Sequence, residues 1–294
     1  AMREFWAERC FMEIHSPKLM ATASESGAEL FELPYFGGKA SLAQSPQFYK
    51  QMAMAAGFER IFEIGPVFRA NPSFTSRHDT EFTSVDMEIS WIDSHEDVMK
   101  MEEEWLRYVL GRVAFVHGER IRELFGVEVV VPTTPFPRMT LEEGRAILAA
   151  GGHEIPHKAD LDPEGERRLA AHILEKFGHE FVFVTDYPVD VRAFYHMRYP
   201  DRPEITMSFD LLWKGIEITT GAQREHRPDK LREQAISKGY DVEPLNDYFS
   251  FFDYGCPPHG GMGVGLTRLL MMLLGRKNVR EVTYLYRGPN RLRP

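Results

Sequence analysis

Residues 65 to 82, "GPVFRANPSFTSRHDTEF", carry the densest set of chemistry-bearing side chains in the sequence. Arg69, Arg77 and His78 lie in and beside a polar loop between two strand-like runs, where they could meet phosphate oxygens. The second run, "EFTSVDMEISW", alternates: Val85, Met87, Ile89 and Trp91 share one face, and Phe82, Ser84, Asp86 and Glu88 share the other. The first face is core, while the second sets an aromatic ring beside two carboxylates. The plain alternative is a solvated outer face. The partner run "RIFEIGPVFR" weighs against it, because Glu63 and Arg69 share a parity opposite Phe62, Ile64 and Phe68.

Two further stretches add candidates. "FDLLWKGIEITTGAQRE" holds Asp210, Glu217, Thr220 and Arg224. Strict alternation sends Glu217 and Thr220 to opposite faces, so they share a site only if a bulge intervenes near Thr219 to Gly221. A glutamate and a hydroxyl beside substrate phosphates is a common way to hold magnesium; the alternative is an edge strand with solvated polar residues. "GGMGVGLTRLLMMLLG" puts alternating glycines on a strand feeding a helix, a pattern that permits close approach of a ligand or another backbone. It lacks the strand–helix–strand setting and distant acid of a dinucleotide-binding fingerprint, so that reading is rejected.

These groups need a scaffold. The chain has 294 residues, 43% hydrophobic and 27% charged, which is ordinary for a globular protein with a real core. Strands are predicted over 59–69, 81–92, the 181–188 region, 205–221 and 260–266. Residues 9–50 read as short strands and turns with a Gly-Gly hairpin signal and Cys10 in the first strand region. A helix begins near Ser94, with Asp97 reaching back to cap, and runs to about Gly126 with a break near Gly111 or Gly118. Thr140 and Glu143 open another helix, a third ends at Gly178, a charged helix covers 228–239, and a last one ends at Gly275. Strands bracketing clusters of helices, without regular alternation, predict an α+β fold with a mainly antiparallel sheet.

The net charge of −9 argues against broad phosphate neutralisation of a nucleic acid, though not against a localised contact. Two cysteines without metal or redox spacing, no apolar run of membrane-spanning length and no signal peptide predict a cytoplasmic protein or a piece of one.

"FMEIHSPKL", "GPVFRA…TSRHDTEFTSVDMEIS" and "GMGVGLTRLLM" occur in the order of the three signature motifs of class II aminoacyl-tRNA synthetases. "QSPQFYKQ", "ITTGAQR" and "YGCPPHGG" narrow the resemblance to aspartyl enzymes of archaeal and eukaryotic type, across essentially all of residues 1–294 as one catalytic domain. The resemblance implies a six-stranded antiparallel sheet flanked by helices, with an insertion at about 127–180 and a homodimer through motif 1. It also implies activation of L-aspartate by ATP with magnesium, then transfer to the 3′ end of tRNA.

By the same resemblance, Arg69 holds the α-phosphate and the substrate carboxylate, Arg77 and His78 meet the outer phosphates, and Phe82 and Arg268 sandwich adenine beside Gly265. Glu217 and Thr220 match the magnesium pair, with Asp210 a weaker candidate. Lys50 and Arg224 match the cations around the substrate side-chain carboxylate, Gln47, Asp86 and Glu88 complete that pocket, and Ser24 and Glu25 match a loop closing over the substrate ammonium. Lys50 is the residue that favours aspartate over asparagine. Four positions depart from the pattern: Ser26 for glycine, Thr267 for glutamate, Gly288 for aspartate, and Asn71 for the glutamate that meets the adenine amino group, where the asparagine carbonyl still offers ATP an acceptor. The family's N-terminal anticodon-binding OB-fold has no counterpart in these residues. Two alternatives therefore stand beside the tRNA ligase: an aspartate-activating paralogue with an acceptor such as ammonia, and a binding domain without turnover.

Overall fold

The computed structural model describes residues 1–21, 29–72 and 75–293. In chain order it forms α1 (Met2–Glu8), β1 (Met12–Glu13), β2 (Leu19–Met20), β3 (Glu32–Tyr35), β4 (Gly38–Leu42), α2 (Gln47–Ala55), β5 (Arg60–Phe68), β6 (Glu81–Ser90) and α3 (His95–Phe125). There follow β7 (Arg138–Thr140), α4 (Leu141–Ala150), α5 (Pro163–Phe177), β8 (Phe181–Thr185), β9 (Ser208–Trp213), β10 (Ile216–Arg224), α6 (Pro228–Ser237), α7 (Asn246–Asp253), β11 (His259–Gly265) and α8 (Leu266–Leu273).

The main sheet has eight strands in the order β1-β5-β6-β11-β10-β9-β8-β7, and β2-β4-β3 form a small second sheet. Six strands were expected. The additional edge strands, β1 and β7, are two and three residues long and pair in parallel with β5 and β8. Runs so short carry no readable alternation, so only tertiary pairing defines them. The six strands between them are antiparallel.

The alternation of β6 divides core from site. Val85, Met87 and Ile89 enter one apolar cluster with Phe5, Trp6, Trp105 and Met262, whereas Asp86 and Glu88 are buried on the other face. Trp91 departs from the expected core row: the strand ends at Ser90, the chain turns through φ 62° at Trp91, and its ring is 71% exposed. Behind the sheet, α3 starts with the Ser94–Asp97 capping box and ends on left-handed Gly126. It runs unbroken through Gly111 and Gly118, where a break was expected. A helical glycine costs about 1 kcal/mol, and burial of Trp105, Leu106, Val109 and Leu110 on the sheet outweighs that.

The 127–180 stretch is built around α4, opened by the Thr140–Glu143 capping box, and α5, which stops at left-handed Gly178. Their apolar faces pack on Val182, Val184 and Leu212 of β8 and β9, so this stretch lies against one end of the sheet. The Gly-Gly signal makes the β3–β4 hairpin, with Tyr35 opposite Gly38. Cys10 falls just after α1 rather than in a strand, and both cysteines are free thiols.

Candidate active site

One cavity of about 320 Å³ opens over the polar face of β6, β10 and β11. Register brings its parts together: Asp86 stands opposite Gly263, Glu88 opposite Gly261, and Gly263 opposite Thr220, whereas Glu63, opposite Asp86, turns instead to Ser16 and Lys18. The alternating glycines are there for side chains of this chain. A Cβ at Gly261 would lie 2.1 Å from Glu88 Oε2, and one at Gly263 would lie 3.0 Å from Asp86 Oδ1.

Beneath one end of the cavity lies a buried charge network. Lys50, on α2 and 1% exposed, places Nζ 2.9 Å from Asp86 Oδ1 and 3.2 Å from Glu88 Oε2, and also donates to the carbonyl of Met262 at 3.1 Å. Arg224, on β10, donates from Nε to Glu88 Oε1 at 2.9 Å and from Nη2 to the Gly261 carbonyl at 2.9 Å, leaving Nη1 for a ligand. Burial pushes the Glu88 carboxyl up, but Arg224, Lys50 and His259 more than offset this and hold it below its ordinary range. Two cations and two carboxylates make the floor electrically neutral. Arg224, Gln47 and Asp86 line the cavity itself, and the buried Gln47 Nε2 has no hydrogen-bond partner among the described residues.

The other end is cationic. Arg69, Arg77, His78 and Arg268 line it together with Phe82 and Gly265. The Arg69 guanidinium lies 5.5 Å from the centre of the Phe82 ring. Arg268, in the first turn of α8, donates to the Glu217 carbonyl at 3.1 Å and comes within 3.5 Å of His78 Nε2. Burial, followed by Arg268, Arg77 and Arg69, lowers the His78 pKa, so the ring is neutral at pH 7. Glu217 and Thr220 do share this wall, with the Thr220 hydroxyl donating to Glu217 Oε1 at 3.3 Å. The bulge that permits it falls between Glu217 and Thr219, slightly earlier than predicted, where the β9 register slips by one residue.

Asp210 is placed differently from expectation. It is turned to Arg192 Nη2 at 2.7 Å, away from the lining, and burial pushes its carboxyl up to about 7. Among the described residues no three His, Cys, Asp or Glu side chains gather to hold a metal by themselves. Ser24, Glu25 and Ser26 lie outside the described residues.

The departures acquire physical roles. Asn71 Oδ1 accepts from the Glu29 amide at 3.2 Å, while the Ala70 amide donates to the Glu29 carbonyl at 2.9 Å. The side chain thus ties the segment at residue 29 to the cavity wall. Gly288 makes room for Tyr286: a Cβ there would lie 2.3 Å from the tyrosine Oη, which donates to the His78 carbonyl at 3.2 Å. Thr267 is buried beside Asp79, whose Oδ2 also accepts from Thr283 at 3.2 Å. Sequence reasoning missed Asp79 and Glu166. An acid inside the cationic stretch "SRHDTEF" was a signal for Asp79. For Glu166, which ion-pairs with Arg77 across 89 positions of sequence, there was none.

The sequence model described as tRNA synthetases class II (D, K and N) matches residues 1–287. The chain belongs to that family. Among curated class II relatives it is 46% identical over 294 residues to the aspartate–tRNA(Asp/Asn) ligase of Aeropyrum pernix, covering 99% of this chain and 66% of that protein. It is 46% identical to the aspartate–tRNA(Asp) ligase of Pyrococcus abyssi, covering 100% and 67%. The chain therefore spans about two thirds of the length of these relatives. Among solved class II structures, the asparaginyl-tRNA synthetase of Pyrococcus horikoshii with asparaginyl-adenylate superposes with a TM-score of 0.92 at 34% identity, over 100% of this chain and 67% of that one. The aspartyl-tRNA synthetase of Entamoeba histolytica gives 0.89 at 35%, over 100% and 57%.

Proposed function

We propose that the chain is the catalytic domain of an aspartate–tRNA ligase, which joins L-aspartate to AMP at the expense of ATP and passes the aspartyl group to the 3′ end of tRNA. The observation that carries this reading is one continuous cavity running from the Arg224–Glu88–Lys50 floor to the cationic wall of Arg69, Arg77 and Arg268. The curated relatives at 46% identity bear the name of this activity, which favours it over an ammonia-using paralogue or a domain without turnover.

In the first step an oxygen of the substrate α-carboxylate attacks the α-phosphorus, and pyrophosphate leaves. This transfer needs charge stabilisation rather than a general base. Arg69 carries that charge between the two substrates, Arg77 and His78 take the outer phosphates, and Phe82 with Arg268 encloses adenine. The oxygen pair Glu217 and Thr220 suits a hard cation held jointly with phosphate oxygens. Magnesium bound there would supply screening of the phosphate charge. At the other end Arg224 meets the substrate side-chain carboxylate, and Lys50 keeps Asp86 and Glu88 from repelling it. Gln47 Nε2 adds a donor. Homodimerisation uses the motif 1 region, α1 and the edge strand β1, where Met12 is exposed.

Aspartate-dependent ATP–pyrophosphate exchange tests the reading, with L-asparagine as the control. Exchange with aspartate and little with asparagine is expected. A folded protein with magnesium present and no exchange would refute it.

A further inference from the structure

We propose that Glu166, on α5, is a positioning residue of the nucleotide site, holding Arg77 against the cavity from behind and so setting the grip on the outer phosphates of a nucleoside triphosphate. The inference rests on the reading that this cavity takes ATP.

Arg77 lies in the polar loop before β6, where nothing in the local sequence fixes so long a side chain. Its Nη1 is nevertheless bound to both oxygens of Glu166, at 3.0 and 2.8 Å, and both side chains are largely buried. Pinning one end of a planar guanidinium directs its opposite edge, and Arg77 lines the cavity whereas Glu166 does not. The same Glu166 Oε2 accepts from the backbone amide of Glu217 at 3.3 Å. One carboxylate from α5 therefore braces the loop arginine and the β10 backbone that bears the candidate cation ligand. Burial acts first on Glu166, raising its pKa, and the Arg77 guanidinium acts against it. An arriving triphosphate meets an arginine already ordered, which lowers the entropy lost on binding.

Glu166→Gln tests this, because the amide keeps the shape and an acceptor for the Glu217 amide while the charge is lost. Calorimetric titration with magnesium–ATP is expected to show affinity about tenfold weaker than wild type. KM for ATP and for pyrophosphate in exchange should rise in parallel. Affinity for a non-hydrolysable aspartyl-adenylate analogue, which lacks the outer phosphates, should stay within about twofold, and Glu166→Gln should add less than about twofold in an Arg77→Ala background. Unchanged ATP affinity, or equal loss for ATP and the analogue, would overturn the inference, the latter by marking Glu166 as merely structural. Absence of exchange in the wild type would sink the aspartate-activation reading alone, since the titrations do not depend on turnover.

Discussion

Replacing Lys50 with methionine keeps an unbranched stem on α2 and removes the charge beneath the pocket together with its hydrogen bond to the Met262 carbonyl. Asp86 and Glu88 then lose an ammonium at 2.9 and 3.2 Å in a region almost closed to water. Breaking a buried pair by deleting one partner costs about 3–5 kcal/mol. Glu88 keeps Arg224 at 2.9 Å and Asp86 keeps the Ser84 hydroxyl, which points to the lower end of that range. At ~2–4 °C per kcal/mol for a chain of this class, about 3 kcal/mol lowers Tm by roughly 6–12 °C. The floor also changes from neutral to a net negative charge. A substrate carboxylate about 5 Å from one uncompensated charge, at an effective dielectric of about 20, is disfavoured by roughly 3 kcal/mol, or about a hundredfold. Thermal melting reads the first effect, and exchange assayed at 25 °C with aspartate and asparagine reads the second. Aspartate-dependent exchange should fall about a hundredfold while the asparagine signal changes little. A Tm within about 2 °C of wild type and an unchanged aspartate-to-asparagine ratio would refute the reasoning.

Other positions give independent tests. Gly261→Ala forces a methyl group to within 2.1 Å of Glu88 Oε2 and 2.2 Å of the Met87 carbonyl. It should cost about 3 kcal/mol in denaturant unfolding and abolish aspartate-dependent exchange. Gly265→Ala, whose Cβ meets only the Arg268 side chain at 3.8 Å, should cost less than about 1 kcal/mol. Asp79 has its carboxyl pushed up to about 6, first by burial, against the pull of Thr283 and Arg268. Between about pH 4 and pH 6 the folded chain keeps a proton that the unfolded chain gives up, so stability falls as pH rises through that window and levels off above it. Asp79→Asn should remove that slope, worth on the order of 1–3 kcal/mol, in melting curves from pH 4.5 to 7; a slope identical to wild type would count against Asp79 as its source.

The α+β class, the β5–β6 hairpin, its core row of Val85, Met87 and Ile89, and the capping boxes at Ser94 and Thr140 were all legible in the sequence. Each follows from local rules: alternation along a strand, or a side chain bonding an amide a few residues away. The shared parity of Asp86 and Glu88, opposite to that core row, was legible too, and so was the need for a bulge to unite Glu217 with Thr220. Partner choice between distant elements was not. That Lys50 is enclosed by Asp86 and Glu88, that Asp210 turns to Arg192, and that Asn71 ties down residue 29 depend on segments distant in sequence meeting in the fold. Glu166 reaches Arg77 only because α5 packs at that end of the sheet. The sequence by itself determined the strands and the kinds of chemistry on each face, because periodicity is a local property of the backbone. Tertiary structure alone decided which charges neutralise one another, because Coulomb energy depends on distance and burial, and neither is encoded in spacing along the chain.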